Sequence, residues 1–198
     1  MRVISGKWKG KRLFSVKGLN LRPTSDRVKE AVFNILQDHV EGRQVLDLFA
    51  GTGALGIEAL SRGAKRVVFV EESTRSLTAL RKNIDGCKAK DQVQVLAREV
   101  LVAIKILEAQ GESFHLIFLD PPYGKGLADQ TLKALAGNPI VSPNTLIIAE
   151  HASNEEVLEF PPLQRVDARR YGRTLVSFFR LEKEFKDCNL NESKRGSL

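Results

Sequence analysis

Residues 44–63 read QVLDLFAGTGALGIEALSRG, an apolar run that gives way to three glycines and then to a segment with helical spacing. Gly51, Gly53 and Gly56 satisfy G-x-G-x-x-G at what reads as a strand-to-helix turn, and Glu71 closes the next apolar run about 20 residues on. Working outward, RVVFVE, QVQVLA, HLIFLD and TLIIAEH are short, β-branched and apolar enough to be strands buried on both faces. Between them STRSLTALRKNID, LVAIKILEAQ and LADQTLKALAG carry helical periodicity. This alternation predicts an α/β fold, a doubly wound and mostly parallel sheet. Near the carboxyl end RRYGRTLVSFFRL alternates like an antiparallel edge strand, paired with the segment near 164–168.

At the other end, residues 2–16 read as two short strands around Gly6 to Gly10, a small hairpin. RPTSDRVKEAVFNIL then opens a helix, with Thr24, Ser25 or Asp26 as its cap. The expected organisation is a basic hairpin over 1–22, a catalytic domain over 23–182 and a polar, frayed tail over 183–198. Nine Lys/Arg lie in residues 1–30 against two acids, a surplus equal to the whole net charge of +7. Arg2, Lys7, Lys9, Lys11 and Arg12 share that segment with Trp8 and Phe14. Cations interleaved with aromatics suit a polyanion whose bases can stack; the alternative is an ordinary solvated hairpin. No run of about 18 apolar residues exists to cross a bilayer, and MRVISGKWKG lacks a signal-peptide core, so a soluble, cytoplasmic protein is expected. Cys87 and Cys188, and the histidines His39, His115 and His151, follow no ligand spacing, so no metal site is expected.

Chemistry enters with Asp47, four residues before the first glycine. A carboxylate at the strand end faces the ligand pocket, where it would repel the pyrophosphate of a dinucleotide. A phosphate-free cofactor with an ammonium and a sulfonium, S-adenosylmethionine, suits that acid, and its ribose hydroxyls suit the Glu71 carboxylate. A second motif, FLDPPYG at 118–124, stops a core strand with two prolines. Asp120 and the Pro121 carbonyl can take hydrogen bonds from the two N–H groups of an exocyclic amine and favour its pyramidal, nucleophilic form. The acid also stabilises positive charge developing on the nitrogen, Pro121-Pro122 keeps the acceptors still, and Tyr123 can stack on the base. Four readings stay open on these residues. A nicotinamide enzyme explains the glycines but gives D-P-P-Y no role. A non-catalytic RNA-binding protein explains the basic segment but has no need of the turn. DNA or protein-glutamine amino-methyltransferases share both motifs with an RNA enzyme.

DPPY together with LDLFAGTG resembles the Rossmann-like, S-adenosylmethionine-dependent amino-methyltransferases. MRVISGKWKGKRL, RPTSDRVKEAVFNIL, VLDLFAGTGALGIEALSRGA, VVFVE, FLDPPYGKG and YGRTLVSFFR, in that order, resemble more closely the bacterial 16S rRNA guanine-N2 methyltransferase family, RsmD, over residues 1 to about 181. The resemblance implies a monomer that methylates guanine 966 of 16S rRNA within a small-subunit assembly particle. It also implies that Arg22, Pro23 and Thr24 help cover the cofactor, that Asp47, Phe49, Gly51 and Gly53 form its floor, and that Glu71 meets the ribose. Asp120, Pro121, Pro122 and Tyr123 would hold the guanine. Where the family has an acid near the adenine, commonly within GDA, this chain has ARE, which points to Glu99; His115 stands where the family favours an acid and reads as structural.

Overall fold

In a computed structural model of the chain, residues 1–15 and 26–182 are described. Of the three expected helix caps, Thr24 and Ser25 lie outside those residues, as do Arg22, Pro23 and the tail over 183–198, while Asp26 is the first described residue of the helix. Strands β1 (Gln44–Asp47), β2 (Arg66–Val70), β3 (Val93–Leu96), β4 (Phe114–Leu119), β5 (Val141–Ala152), β6 (Leu163–Tyr171) and β7 (Thr174–Leu181) form one sheet in the order β3-β2-β1-β4-β5-β7-β6. The first five run parallel; β7 is antiparallel to β5, and β6 to β7. Chain direction across the sheet reverses between β1 and β4, the crevice where doubly wound sheets bind ligands.

Helices α1 (Asp26–Leu36), α2 (Ala54–Ser61), α3 (Thr74–Cys87), α4 (Val100–Ala109) and α5 (Leu127–Leu135) cover the sheet. The predicted strand-to-helix alternation is present, and two buried apolar clusters occupy its two faces. One gathers Phe33, Leu36, Ile57, Phe69, Leu80 and Phe118; the other Leu46, Val68, Ile104, Ile117, Leu132 and Phe179. Close approach of α2 to the sheet needs the third glycine of the turn, because a Cβ on Gly56 would run into the Phe69 ring.

Two expectations are corrected. RRYGRTLVSFFRL is not one strand: Gly172 turns the chain at φ +65°, so that RRY ends β6 and TLVSFFRL forms β7. The expected antiparallel pairing with the segment near 164–168 is present, and what changes is that the edge is a hairpin with the predicted strand second from the edge. The two amino-terminal strands reduce to a single antiparallel bridge, Arg2 to Arg12, around a 3-10 turn at Gly6–Trp8. The reason is competition for the backbone. The Ile4 and Ser5 N–H groups donate to the Glu58 carboxylate of α2 at 2.7 and 3.0 Å, and Trp8 N–H donates to Ser61 Oγ at 3.0 Å. The Val3, Gly10 and Leu13 N–H groups still donate across the bridge, to the Lys11, Val3 and Met1 carbonyls, but the donors nearer the turn are committed to α2, and Gly6 lies where any side chain would meet the Ser61 carbonyl.

A buried ion pair anchors this arrangement. Lys29 of α1 and Glu58 of α2 are both fully buried, 3.4 Å apart, and Lys29 Nζ also donates to the Arg2 carbonyl at 2.6 Å. Burial pushes the Lys29 pKa down, and Glu58 opposes that shift. Among the described residues no helix is long and apolar enough to cross a membrane, and no group of three or more His, Cys, Asp or Glu could hold a metal ion.

Candidate active site

Register places three carboxylates along one edge of the sheet. Asp47 pairs with Phe69 on β2 and with Phe118 on β4. Two residues beyond those partners stand Glu71 and Asp120, so strand pairing alone brings the three acids to adjacent carboxyl ends.

Each acid has a distinct setting. Asp47 is buried, and its Oδ2 accepts the Gly56 N–H at 3.0 Å, satisfying an orphan donor in the first turn of α2. Asp47 thus also caps α2, although the residue lies within the strand. Its pKa is pushed up to about 7, chiefly by burial; the Gly56 N–H pulls it down, and Asp120 and Glu71 add repulsion that raises it. Glu71 accepts the Gly51 N–H at 2.8 Å and the Ser73 N–H at 2.7 Å, which fixes the glycine turn to the end of β2. A carboxylate has about four acceptor positions, so roughly two remain for hydroxyl donors. Gly51 and Gly53 hold φ of +53° and +86°, the left-handed region in which a side chain is strained. Phe49 is partly buried against the second apolar cluster beside the turn.

On the other side of the crevice, Pro121 is buried and Pro122 exposed. Tyr123 is half-buried; its hydroxyl donates to Glu150 Oε1 at 2.9 Å and lies 3.4 Å from Thr174 Oγ1. Burial, together with the acids Glu150 and Asp120, pushes the Tyr123 pKa up, so the phenol stays neutral. Glu150 on β5, which accepts the phenolic hydrogen, and Thr174 on β7 thus orient a ring attached to the segment after β4.

The remaining predicted residues have their own settings. Glu99 is an exposed N-cap of α4, accepting the Leu101 and Val102 N–H groups at 3.1 and 3.3 Å. His115 lies at the opposite end of the sheet, where Nδ1 accepts the Gln44 N–H at 3.3 Å, a structural setting. Arg2, Lys7, Lys9 and Arg12 are exposed, and Lys11 is partly so.

Sequence reasoning missed three contributors. Glu150 and Thr174 orient Tyr123, and Asn83 bonds the glycine turn. The Asn83 Nδ2 group donates to the Thr52 carbonyl at 2.9 Å and to the Phe14 carbonyl at 3.1 Å, while Oδ1 accepts the Phe14 N–H at 2.7 Å. A signal existed for Glu150, an acid in the apolar run TLIIAEH, but Asn83 looks like any polar position in a surface helix.

The family model for conserved hypothetical protein 95 matches residues 1–180. Ribosomal RNA small subunit methyltransferase D of Haemophilus influenzae is 38% identical over 159 residues, 80% of this chain and 82% of its own length. The chain belongs to the RsmD family. The Escherichia coli K12 member named ribosomal RNA small subunit methyltransferase D is 37% identical, over 76% of this chain and 74% of its own. Among solved structures, the Escherichia coli protein yhhF superposes with a TM-score of 0.78 at 31% identity, covering 92% of this chain and 98% of its own. The RsmD match includes both the glycine turn and the D-P-P-Y segment, and it extends through the amino-terminal bridge to β7.

Proposed function

We propose that this chain is an S-adenosylmethionine-dependent methyltransferase that modifies the N2 amine of a guanine in 16S rRNA. The observation that carries the reading is the convergence of Asp47, Glu71 and Asp120-Pro121-Pro122-Tyr123 on adjacent strand ends, in a chain of the RsmD family. Three acids in one crevice favour a cationic ligand and disfavour a dinucleotide. Bound there, S-adenosylmethionine supplies an activated methyl group on a sulfonium.

The residues then have separable roles. Asp47 faces the ammonium end, Gly51 and Gly53 let the backbone approach, Phe49 borders the site and Glu71 accepts from the ribose hydroxyls. Glu99 lies on the adenine side, and Arg22 and Thr24 complete the cover as the resemblance implies. Asp120 and the Pro121 carbonyl hold the amine, Pro122 stiffens the turn, and Tyr123 stacks on the guanine. The N2 amine points into the minor groove of a paired duplex, so the target is unpaired or turned out of its stack. Guanine 966, in a small-subunit assembly particle, is the target that the resemblance assigns. Arg2, Lys7, Lys9, Lys11 and Arg12 dock the RNA backbone. If about five of these cations meet phosphate, log Kd for RNA should change with log salt with a slope of roughly 3 to 5; a flat response overturns the docking role.

Asp47 gives the cofactor a pH dependence. A carboxyl that ionises near 7 in the free protein must be charged to meet an ammonium, so cofactor binding expels its proton. S-adenosylhomocysteine affinity, measured by calorimetry, should rise about tenfold from pH 6 to pH 8, and Asp47→Asn should bind weakly and flatten the profile. The apo fold shows the opposite trend: its raised carboxyl lowers stability as pH climbs from the ordinary value of 3.8 to about 7.

The deciding experiment incubates the protein with tritiated S-adenosylmethionine and unmethylated 16S rRNA, free or in small subunits, then digests the product and identifies the modified nucleoside. N2-methylguanosine is expected. Recovery of N6-methyladenosine, or of label in protein glutamine, overturns the substrate assignment.

A further inference from the structure

Phe14 is 60% exposed, more than any other large apolar side chain among the described residues. Isolated exposed phenylalanines are common and need no explanation. This one differs in being held. Its N–H and carbonyl are both bonded to the Asn83 amide, and Asn83 is itself 2% exposed and bonded to Thr52, between the two left-handed glycines. The Phe14 backbone is therefore anchored to the glycine turn, and the ring projects from a fixed point. One cation stands over it, Lys82 Nζ 5.9 Å from the ring centroid, and a second, Lys11, runs against Gly86 one turn further along α3.

We propose that Phe14 is a stacking platform for a non-target base of single-stranded RNA, with Lys82 contacting the adjoining phosphate. The proposal rests on the rRNA methyltransferase reading and adds a second point of contact outside the D-P-P-Y crevice. An apolar protein partner covering this ring would bury the Lys82 and Lys11 charges without compensation. RNA satisfies both features, since a base covers the ring and its phosphates pair with the ammonium groups. Holding the ring in advance reduces the ordering cost of binding.

Kinetics with 16S rRNA test this. Phe14→Ala should raise KM for RNA roughly tenfold, leaving kcat within about twofold and S-adenosylhomocysteine affinity unchanged. Phe14→Trp should retain the native KM, whereas Phe14→Leu, apolar but without a π face, should behave like alanine. Lys82→Ala should lower the salt slope by about one. A native KM in Phe14→Leu or Phe14→Ala overturns the platform. A direct titration needs no turnover: in Trp8→Phe/Phe14→Trp the tryptophan at position 14 is the only one, and guanine-free single-stranded RNA should quench it. Absence of quenching also overturns the platform, whereas quenching in the double variant together with a wild type that makes no N2-methylguanosine overturns the proposed function instead.

Discussion

Asp120→Ala should lower turnover by at least about 100-fold and leave S-adenosylhomocysteine affinity within roughly threefold. The separation follows from position. Asp120 follows β4 directly and leads into Pro121-Pro122, whereas the glycine turn is held by Glu71 and Asn83, which alanine at 120 leaves in place. On the proposed function, what is lost is one of two acceptors for the amine, together with the charge that stabilises a nitrogen becoming positive. Asp120→Asn keeps an acceptor oxygen and loses the charge, so its turnover should lie between those of the wild type and alanine. Single-turnover methylation under saturating cofactor separates the steps. A variant that binds cofactor poorly and transfers methyl normally once loaded would move Asp120 from the amine to the donor.

The largest effect on stability should come from Glu58→Ala. Its carboxylate accepts from the Ile4, Ser5 and Arg62 N–H groups and faces the Lys29 ammonium, with no exposure to water. Removing one member of a buried pair leaves the other charged and uncompensated, at a cost of about 3 to 5 kcal/mol. For a chain of this size the melting temperature should fall by on the order of 10 °C. Lys29→Met combined with Glu58→Gln should be less destabilised than Glu58→Ala, because no buried charge remains. Equal melting temperatures for Glu58→Ala and wild type would show that water or a local rearrangement replaces the pair.

The parallel part of the fold was legible because it depends on short-range signals. Apolar runs of four to six residues separated by helical segments left few other topologies. The glycine turn and D-P-P-Y were legible for a related reason: both combine residues whose backbone behaviour is unusual with acids in apolar surroundings. The amino-terminal segment was misread because its N–H donors meet side chains more than 50 residues away, Glu58 and Ser61, and no local pattern encodes that competition. Glu58 did leave a trace, since it is an acid in a helix whose residues are buried from Leu55 to Ser61. The hairpin at Gly172 was blurred because RRY and TLVSFFRL both alternate, and the glycine between them was read as part of a strand. Asn83 left none, because its partners are backbone groups.

The carboxyl-terminal hairpin bears on how the chain leaves the ribosome. Through Leu146 to Ala149 strand β5 is apolar and buried, and its outer edge is covered only by β7, which is made more than 20 residues later. Until Thr174–Leu181 emerges, that row of backbone donors and acceptors is open to pairing with another chain. The completed protein ends its sheet differently. Strand β6 is mostly exposed, carries Arg165, Asp167, Arg169 and Arg170, and has a register shift between Arg165 and Asp167, so it resists edge-to-edge pairing. A nascent or truncated chain that stops before β7 should therefore depend on chaperones far more than the finished protein does.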